Sequence, residues 1–275
     1  MTTETIETGT EHLLCKVEGH IATLTLNNPS SRNAMSGEMT QAMAEMLPRL
    51  ADDAAIRVLV VTGAGGAFCS GGDVTGLAES LNPVSGTPDR DMMIKTLRKA
   101  QNDLLLPLFN FPKPTVAALP GPAAGAGLGL ALACDLRVAV DTTFLTPAFG
   151  KIGLSGDFGG SWLLSALLGP ARAKEIYFLS KRITAQEALE LGLINRVASE
   201  LEFPSLVGEL ASELAAQAPL ALSRMKANHN LALCTDLETT LDQEAEHMVD
   251  TLLSKDHRAA AQAFLQKQNP TFTGR

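Results

Sequence analysis

A chain of 275 residues with 45% apolar and 19% charged side chains can fill a sizeable core, and its length suits an α/β domain. The formal net charge of −8 excludes the basic surface on which nucleic-acid binding depends. A few local cations and backbone amides can still hold a phosphorylated small ligand.

The N-terminal stretch MTTETIETGTEH is acidic and polar, the opposite of a secretory signal. His12–Val17 and Ile21–Leu26 are rich in β-formers and read as two strands. Asn27-Asn28-Pro29 breaks the pattern, and Ser36 is a plausible N-cap for a helix to about Ala51. Val58-Leu59-Val60-Val61 is an all-apolar run, as expected of a strand covered on both faces. Residues 77–91 hold two prolines, a glycine and many polar side chains, and read as a mobile surface segment. A helix from about Met92 to Phe109, a strand over Pro114–Leu119, a helix over Gly125–Ala133 and a strand over Leu136–Val140 follow. Beyond Gly159 strand signals nearly stop, and helical patterns cover Ser161–Leu167, Ala171–Leu179, Ala185–Leu191 and most of 205–267. The pattern predicts an α/β core over residues 1–200 and a helical region over 201–275. No apolar run reaches the roughly 18–20 residues of a membrane helix. The four cysteines, Cys15, Cys69, Cys134 and Cys234, are widely spaced without a metal-binding pattern, which suits reduced thiols in the cytoplasm. None of the five histidines falls in a motif.

Two segments could carry chemistry. Ala67-Phe68-Cys69-Ser70-Gly71-Gly72-Asp73-Val74 follows one buried strand, and Leu119-Pro120-Gly121-Pro122-Ala123-Ala124-Gly125-Ala126-Gly127-Leu128-Gly129 follows the next. Glycines at strand ends let a ligand approach the backbone. A helix start adds unpaired N–H groups and the positive end of a dipole. Two such loops on neighbouring strands can aim two amides at one oxygen, as an oxyanion hole does. Rival motifs fail. The dinucleotide fingerprint meets Leu130 or Phe68 at its sixth position, no Gly-Lys-Ser/Thr phosphate loop occurs, and Gly153-Leu154-Ser155-Gly156-Asp157 lacks the last glycine of a nucleophile elbow.

Taken together, the strand Ile21–Leu26 (IATLTL) with Asn27-Asn28-Pro29 and Arg32-Asn33-Ala34, the segment AFCSGGDV, the run KPTVAALPGPAAGAGLGLALACDLRVA and the stretches Lys151–Trp162 and Ile183–Ile194 resemble the enoyl-CoA hydratase/isomerase (crotonase) superfamily. The similarity runs over about residues 12 to 270. It implies a spiral of repeated ββα units with a C-terminal helical region, assembled as homotrimers or dimers of trimers. It also implies an acyl-CoA thioester as substrate, with CoA part of that substrate and no separate cofactor. The backbone N–H groups of Gly72 and Ala126 would form the oxyanion hole. CoA would be met around Ser70, Gly71 and Val74, by Arg32 and Ala34, and by Lys267. Asp73 falls in the same segment and reads as a structural hydrogen-bonding aspartate. Phe149 and Trp162 would line the acyl pocket.

Asp157 is the side chain expected to do acid–base chemistry. It stands in an apolar, glycine-rich stretch, where an unpaired carboxylate has a raised pKa; capping of the following helix is the alternative. The pattern resembles the isomerase branch, which acts on enoyl-CoA or 1,2-epoxyphenylacetyl-CoA. Family hydratases use two glutamates, and their places carry Gly129 and Phe149 here. One carboxylate suits proton transfer between two carbons, which is double-bond migration. Two alternatives stand beside that reading: a hydratase drawing an acid such as Glu79 from the 77–91 segment, and a non-catalytic acyl-CoA-binding subunit.

Overall fold

The computed structural model describes residues 3–72 and 89–275. Its strands are β1 (Thr3–Ile6), β2 (Leu13–Glu18), β3 (Ile21–Leu26), β4 (Val58–Gly63), β5 (Thr115–Leu119), β6 (Ala123–Ala124), β7 (Leu136–Val140), β8 (Phe144–Thr146), β9 (Ile183–Thr184) and β10 (Arg196–Ala198). Seven of them form one sheet in the order β1-β2-β3-β4-β5-β7-β10, and β6, β8 and β9 form a smaller one. Pairing is antiparallel through β1, β2 and β3, then parallel from β3 to β10.

The alternating strand β2 buries Leu13, Cys15 and Val17 and exposes the residues between them. β4 buries every residue from Val58 to Val61 because both of its faces are covered. Leu59 and Val61 join a core with Leu24, Met43 and Leu47 on one side. Val58 and Val60 pack with Val116, Ala118 and Val138 on the other, against Phe203, Leu210 and Ala211. Each such burial is worth about 1.5–3 kcal/mol. The first helix of the C-terminal region therefore lies on the sheet itself.

Parallel pairing requires crossovers. They are α1 (Gly37–Asp52), then α2 (Arg90–Ala100), a π turn (Gln101–Leu105) and α3 (Leu106–Phe109), and then α4 (Ala126–Ala133). The chain continues through α5 (Gly160–Leu168), α6 (Pro170–Leu179), α7 (Ala185–Glu190), α8 (Phe203–Ala215), α9 (Pro219–Ala232), α10 (Leu237–Leu252) and α11 (Lys255–Leu265). Ser36 accepts from the Met39 N–H at 3.2 Å and starts α1. The helix expected from Met92 starts at Arg90, because the Asp89 carboxylate accepts from the N–H groups of Asp91 and Met92. It is also interrupted where the Leu106 N–H reaches back to the Gln101 carbonyl, immediately before Pro107, which has no N–H to donate. Most of the 77–91 segment, Glu79 included, lies outside the described residues. Strand β1 and the short β9 and β10 carry too few residues to show as patterns in the sequence. Among the described residues no helix is long and apolar enough to cross a membrane.

This topology brings the loops after β3, β4 and β5 to one edge of the sheet, the carboxyl ends where α/β proteins bind ligands. Asn33 ties the first two together. It is fully buried and its Nδ2 donates to the carbonyls of Ala64 (2.8 Å) and Ala67 (2.9 Å) while its Oδ1 accepts from the Asn28 N–H (2.9 Å). Its φ of 58° is one that asparagine tolerates better than most residues. Asn33→Ala should therefore lose about 2–4 kcal/mol of stability in urea unfolding at neutral pH, from three orphaned polar groups and a strained backbone. A change within about 0.5 kcal/mol would contradict this anchoring role.

Candidate active site

The loop after β4 and the loop after β5 run side by side. The N–H groups of Phe68 and Cys69 both donate to the Pro122 carbonyl, at 3.1 and 3.2 Å, and the Ala124 N–H donates to the Cys69 carbonyl at 2.9 Å. Gly71 has φ 102°, and a Cβ on it would lie 2.9 Å from the Ala124 carbonyl oxygen and 3.3 Å from the Ala126 nitrogen. Only glycine lets the two backbones touch here. On the other flank the loop after β3 is stitched to the same segment. Ser70 donates its N–H to the Arg32 carbonyl (3.0 Å) and its hydroxyl to the Ser31 carbonyl (2.9 Å), and the Met35 N–H donates to the Gly71 carbonyl (2.8 Å).

Ala126 opens α4 and is buried, while Gly72 is exposed. Among the described residues, neither the Gly72 nor the Ala126 N–H donates to a protein acceptor. Ala126 has the unpaired N–H that every helix start carries, at the positive end of the helix dipole. Two unpaired donors on touching loops are the elements of an oxyanion hole.

Asp157 lies beyond a 3-10 turn (Phe149–Ile152) in a loop of positive-φ residues, Gly153, Gly156, Phe158 and Gly159. It is half-buried, and its Oδ1 is shut off from solvent with no hydrogen-bond partner among the described residues. Burial pushes its pKa up, because desolvation penalises the charged form. Its side chain makes no cap to α5; the Gly160 N–H donates to its main-chain carbonyl instead, at 3.3 Å. The capping alternative is thereby overturned.

Two residues that the sequence did not single out hold this loop. The Gln101 side chain, at the start of the π turn, accepts from the Phe158 N–H at 3.1 Å. Tyr177, on α6, stacks on Phe149 with ring centres 6.1 Å apart and planes 14° apart. Phe149 in turn reaches to 3.6 Å from the place a Gly125 Cβ would take. A packed chain thus runs from the second glycine loop through Phe149 and Tyr177 to the loop of Asp157. Tyr177 is the chain's only tyrosine, but within a helical pattern nothing distinguished it from a core residue.

The two places where hydratases carry glutamates are closed here. A Cβ on Gly129 would sit 2.1 Å from the Phe158 carbonyl oxygen, so a side chain there requires the Asp157 loop to move. Phe149 is buried and occupied with its stack.

Arg32, Ala34, Ser70 and Gly71 are brought together by the stitched loops, with Arg32 exposed at φ 55°. Asp73 and Val74 lie outside the described residues. Trp162 is 42% exposed and sets its ring at 90° to Phe109, 5.5 Å away. It lines a cleft of about 660 Å³ with Leu105, Gly159, Lys226 and Asn230, and neither Asp157 nor Phe149 borders that cleft. Lys267 is exposed just beyond α11, and no hydrogen bond or ion pair among the described residues joins it to Arg32 or Ser70. The tail beyond it is held by Arg57, which donates to the Phe272 carbonyl at 2.8 Å, beside the start of β4 and not its loop end.

The family model for enoyl-CoA hydratase/isomerase matches residues 16–275. The chain belongs to the enoyl-CoA hydratase/isomerase family. It is 37% identical over 265 residues to the 1,2-epoxyphenylacetyl-CoA isomerase of Escherichia coli (strain K12), covering 96% of this chain and 99% of that one. It is 30% identical to the short-chain-enoyl-CoA hydratase of Clostridium acetobutylicum, over 94% and 95% of the two chains. A crystal structure of an enoyl-CoA hydratase from Polaromonas sp. JS666 superposes with a TM-score of 0.88 at 35% identity, covering 94% and 99%. The sheet and its helical C-terminal region are thus the crotonase fold, and the protein is an acyl-CoA-processing enzyme of this hydratase/isomerase family.

The raised pKa of Asp157 has a measurable consequence for stability. A carboxyl that is harder to ionise folded than unfolded costs stability as pH rises from the unfolded pKa through the folded one, and costs none below both. Asp157→Asn should therefore be more stable than the unmodified enzyme at pH 7 in urea unfolding. The difference should close towards about pH 3, where the carboxyl is protonated in both states. A pH-independent difference would show that Asp157 is not destabilised by its burial.

Proposed function

We propose that this enzyme is an enoyl-CoA isomerase, moving a double bond within the acyl chain by way of a thioester enolate. The observation that carries the reading is a half-buried carboxyl, Asp157, whose Oδ1 has no partner among the described residues, beside a Gly129 that has no room for a second acid. The N–H groups of Gly72 and Ala126 would hold the thioester oxygen as it gains negative charge, which acidifies the carbon beside the carbonyl and stabilises the enolate. Asp157 takes a proton from one carbon and returns it to another. Its raised pKa brings carboxylate and acid closer in energy at neutral pH, as a group that must act as both requires. Loss of one oxyanion donor typically costs roughly 10²–10³ in rate, so both loops must stay aligned.

CoA would lie along Arg32, Ala34, Ser70 and Gly71. Lys267 would join it from another copy of the chain, since its own tail is held at the far end of β4. The proposed assembly is a homotrimer or a dimer of trimers. Phe178, Phe264 and Leu265 are about four-fifths exposed, at 77%, 82% and 83%, which suits faces buried between subunits. Sedimentation equilibrium should return three or six chain masses; a monomer at micromolar concentration would contradict the assembly.

Hydration is the second reading, favoured by similarity to the Clostridium acetobutylicum hydratase. It requires an acid from the segment containing Glu79. Conversion of a 3-enoyl-CoA in deuterated water separates the two. The isomerase reading predicts the 2-enoyl product with no added water, and a loss of about 10²-fold or more in Asp157→Ala. Product heavier by one water, or an undiminished Asp157→Ala enzyme, would overturn it.

A further inference from the structure

The aromatic ring that packs against the Asp157 loop carries a polar atom with no partner. Tyr177 is half-buried, and its hydroxyl makes no hydrogen bond among the described residues. A Cβ on Gly160 would meet that hydroxyl at 2.2 Å, and a Cβ on Gly156 would meet the ring at 2.8 Å and the hydroxyl at 3.4 Å. Gly156 and Gly160 bracket Asp157 in the chain, so the phenol is seated in the loop that holds the carboxyl, in space available only because both residues lack side chains. Burial, and after it the Asp157 charge, push the phenol up to about 12, which keeps it a donor at neutral pH. No Lys, Arg or His of the described residues pairs with Asp157. The neighbouring Gln101 side chain is uncharged and accepts from the Phe158 N–H.

A buried oxygen without a partner is costly to leave so, and the Tyr177 phenol lies against the two glycines that bracket Asp157. Asp157 has an inner oxygen, Oδ1, closed to solvent, and that oxygen can receive a bond from inside the protein without blocking the face turned to an acyl chain. We propose that Tyr177 is a positioning residue that donates its phenolic O–H to the Asp157 carboxylate in the acyl-CoA complex, fixing one oxygen while the other exchanges protons with carbon. This rests on the acid–base role given to Asp157 above. The phenol never gives up its proton. It sets the direction and basicity of the carboxylate, and the Phe149 stack transmits the position of the second glycine loop to it.

Tyr177→Phe tests this, because it keeps the ring and its stack and removes only the donor. A carboxylate that loses a donor becomes easier to protonate. The acidic limb of kcat, which reports the enzyme–substrate complex, should then move to higher pH by about one unit, with kcat down about tenfold and KM within about twofold. An independent readout is the titration of Asp157 followed by carbon NMR with labelled aspartate, in complex with a saturated short-chain acyl-CoA, the signal assigned by its loss in Asp157→Asn. Its midpoint should rise in Tyr177→Phe. Gly160→Ala, which drives a methyl group into the phenol oxygen, should shift it the same way. A midpoint and pH profile that overlay those of the unmodified enzyme overturn the positioning role. A fully active Asp157→Asn enzyme overturns the acid–base reading instead, whatever the NMR midpoint does.

Discussion

The site depends on one backbone contact, the approach of Gly71 to the segment Ala124–Ala126. Strands β4 and β5 are neighbours in a parallel sheet, so the loops that leave them emerge on the same edge, but adjacency of strands does not by itself aim two amides at one point. The two loops are held together by short-range constraints: the Pro122 carbonyl shared by Phe68 and Cys69, the Ala124 N–H on Cys69, and a glycine where any Cβ would strike the Ala124 carbonyl. Buried Asn33 holds the first loop from behind. An oxyanion hole works by being organised before charge appears, and in the proposed site these backbone contacts would supply that organisation.

The carboxyl is placed by a second set of contacts that starts from the same helix. Gly129 of α4 lies under the Phe158 carbonyl, Gln101 takes the Phe158 N–H, and Phe149 and Tyr177 close the other side. The helix that offers the Ala126 N–H therefore also supports the loop that offers Asp157. At residue 129 the space a side chain would take is filled by the Phe158 carbonyl, so a side chain there and the present course of the Asp157 loop exclude each other. On the proposed isomerase reading, one scaffold serves both chemistries, and the number of carboxylates it admits separates moving a proton from adding water.

Much of this was legible in the chain. All-apolar Val58–Val61 announced a strand covered on both faces, and the structure divides its residues alternately between two cores. The glycine loops after β4 and β5 stood out because small residues clustered at strand ends, and Asp157 because no other carboxylate shared its apolar neighbourhood. Gln101 and Tyr177 did not stand out. Each sits in a helical run where periodicity predicts packing, and their roles arise from contacts with Phe158 and Gly160 across more than fifty and fifteen residues respectively, about the separation at which local pattern carries no information. The π turn was hidden for a related reason, since Pro107 signals a helix disturbance but not its form. Trp162, expected from its motif to line the acyl pocket, borders a cleft with Gly159, Lys226 and Asn230.

The claim on which the account turns is that the Gly72 and Ala126 amides converge on one thioester oxygen. The most direct test is the infrared spectrum of an acyl-CoA carrying carbon-13 at its thioester carbonyl, compared free and bound to the enzyme. Two converging donors polarise that bond, and the account predicts a carbonyl band displaced to lower frequency on binding, with the displacement reduced when a bulky residue replaces Gly72. A bound thioester that absorbs at its free-solution frequency would contradict the oxyanion hole, and with it the enolate chemistry built on it.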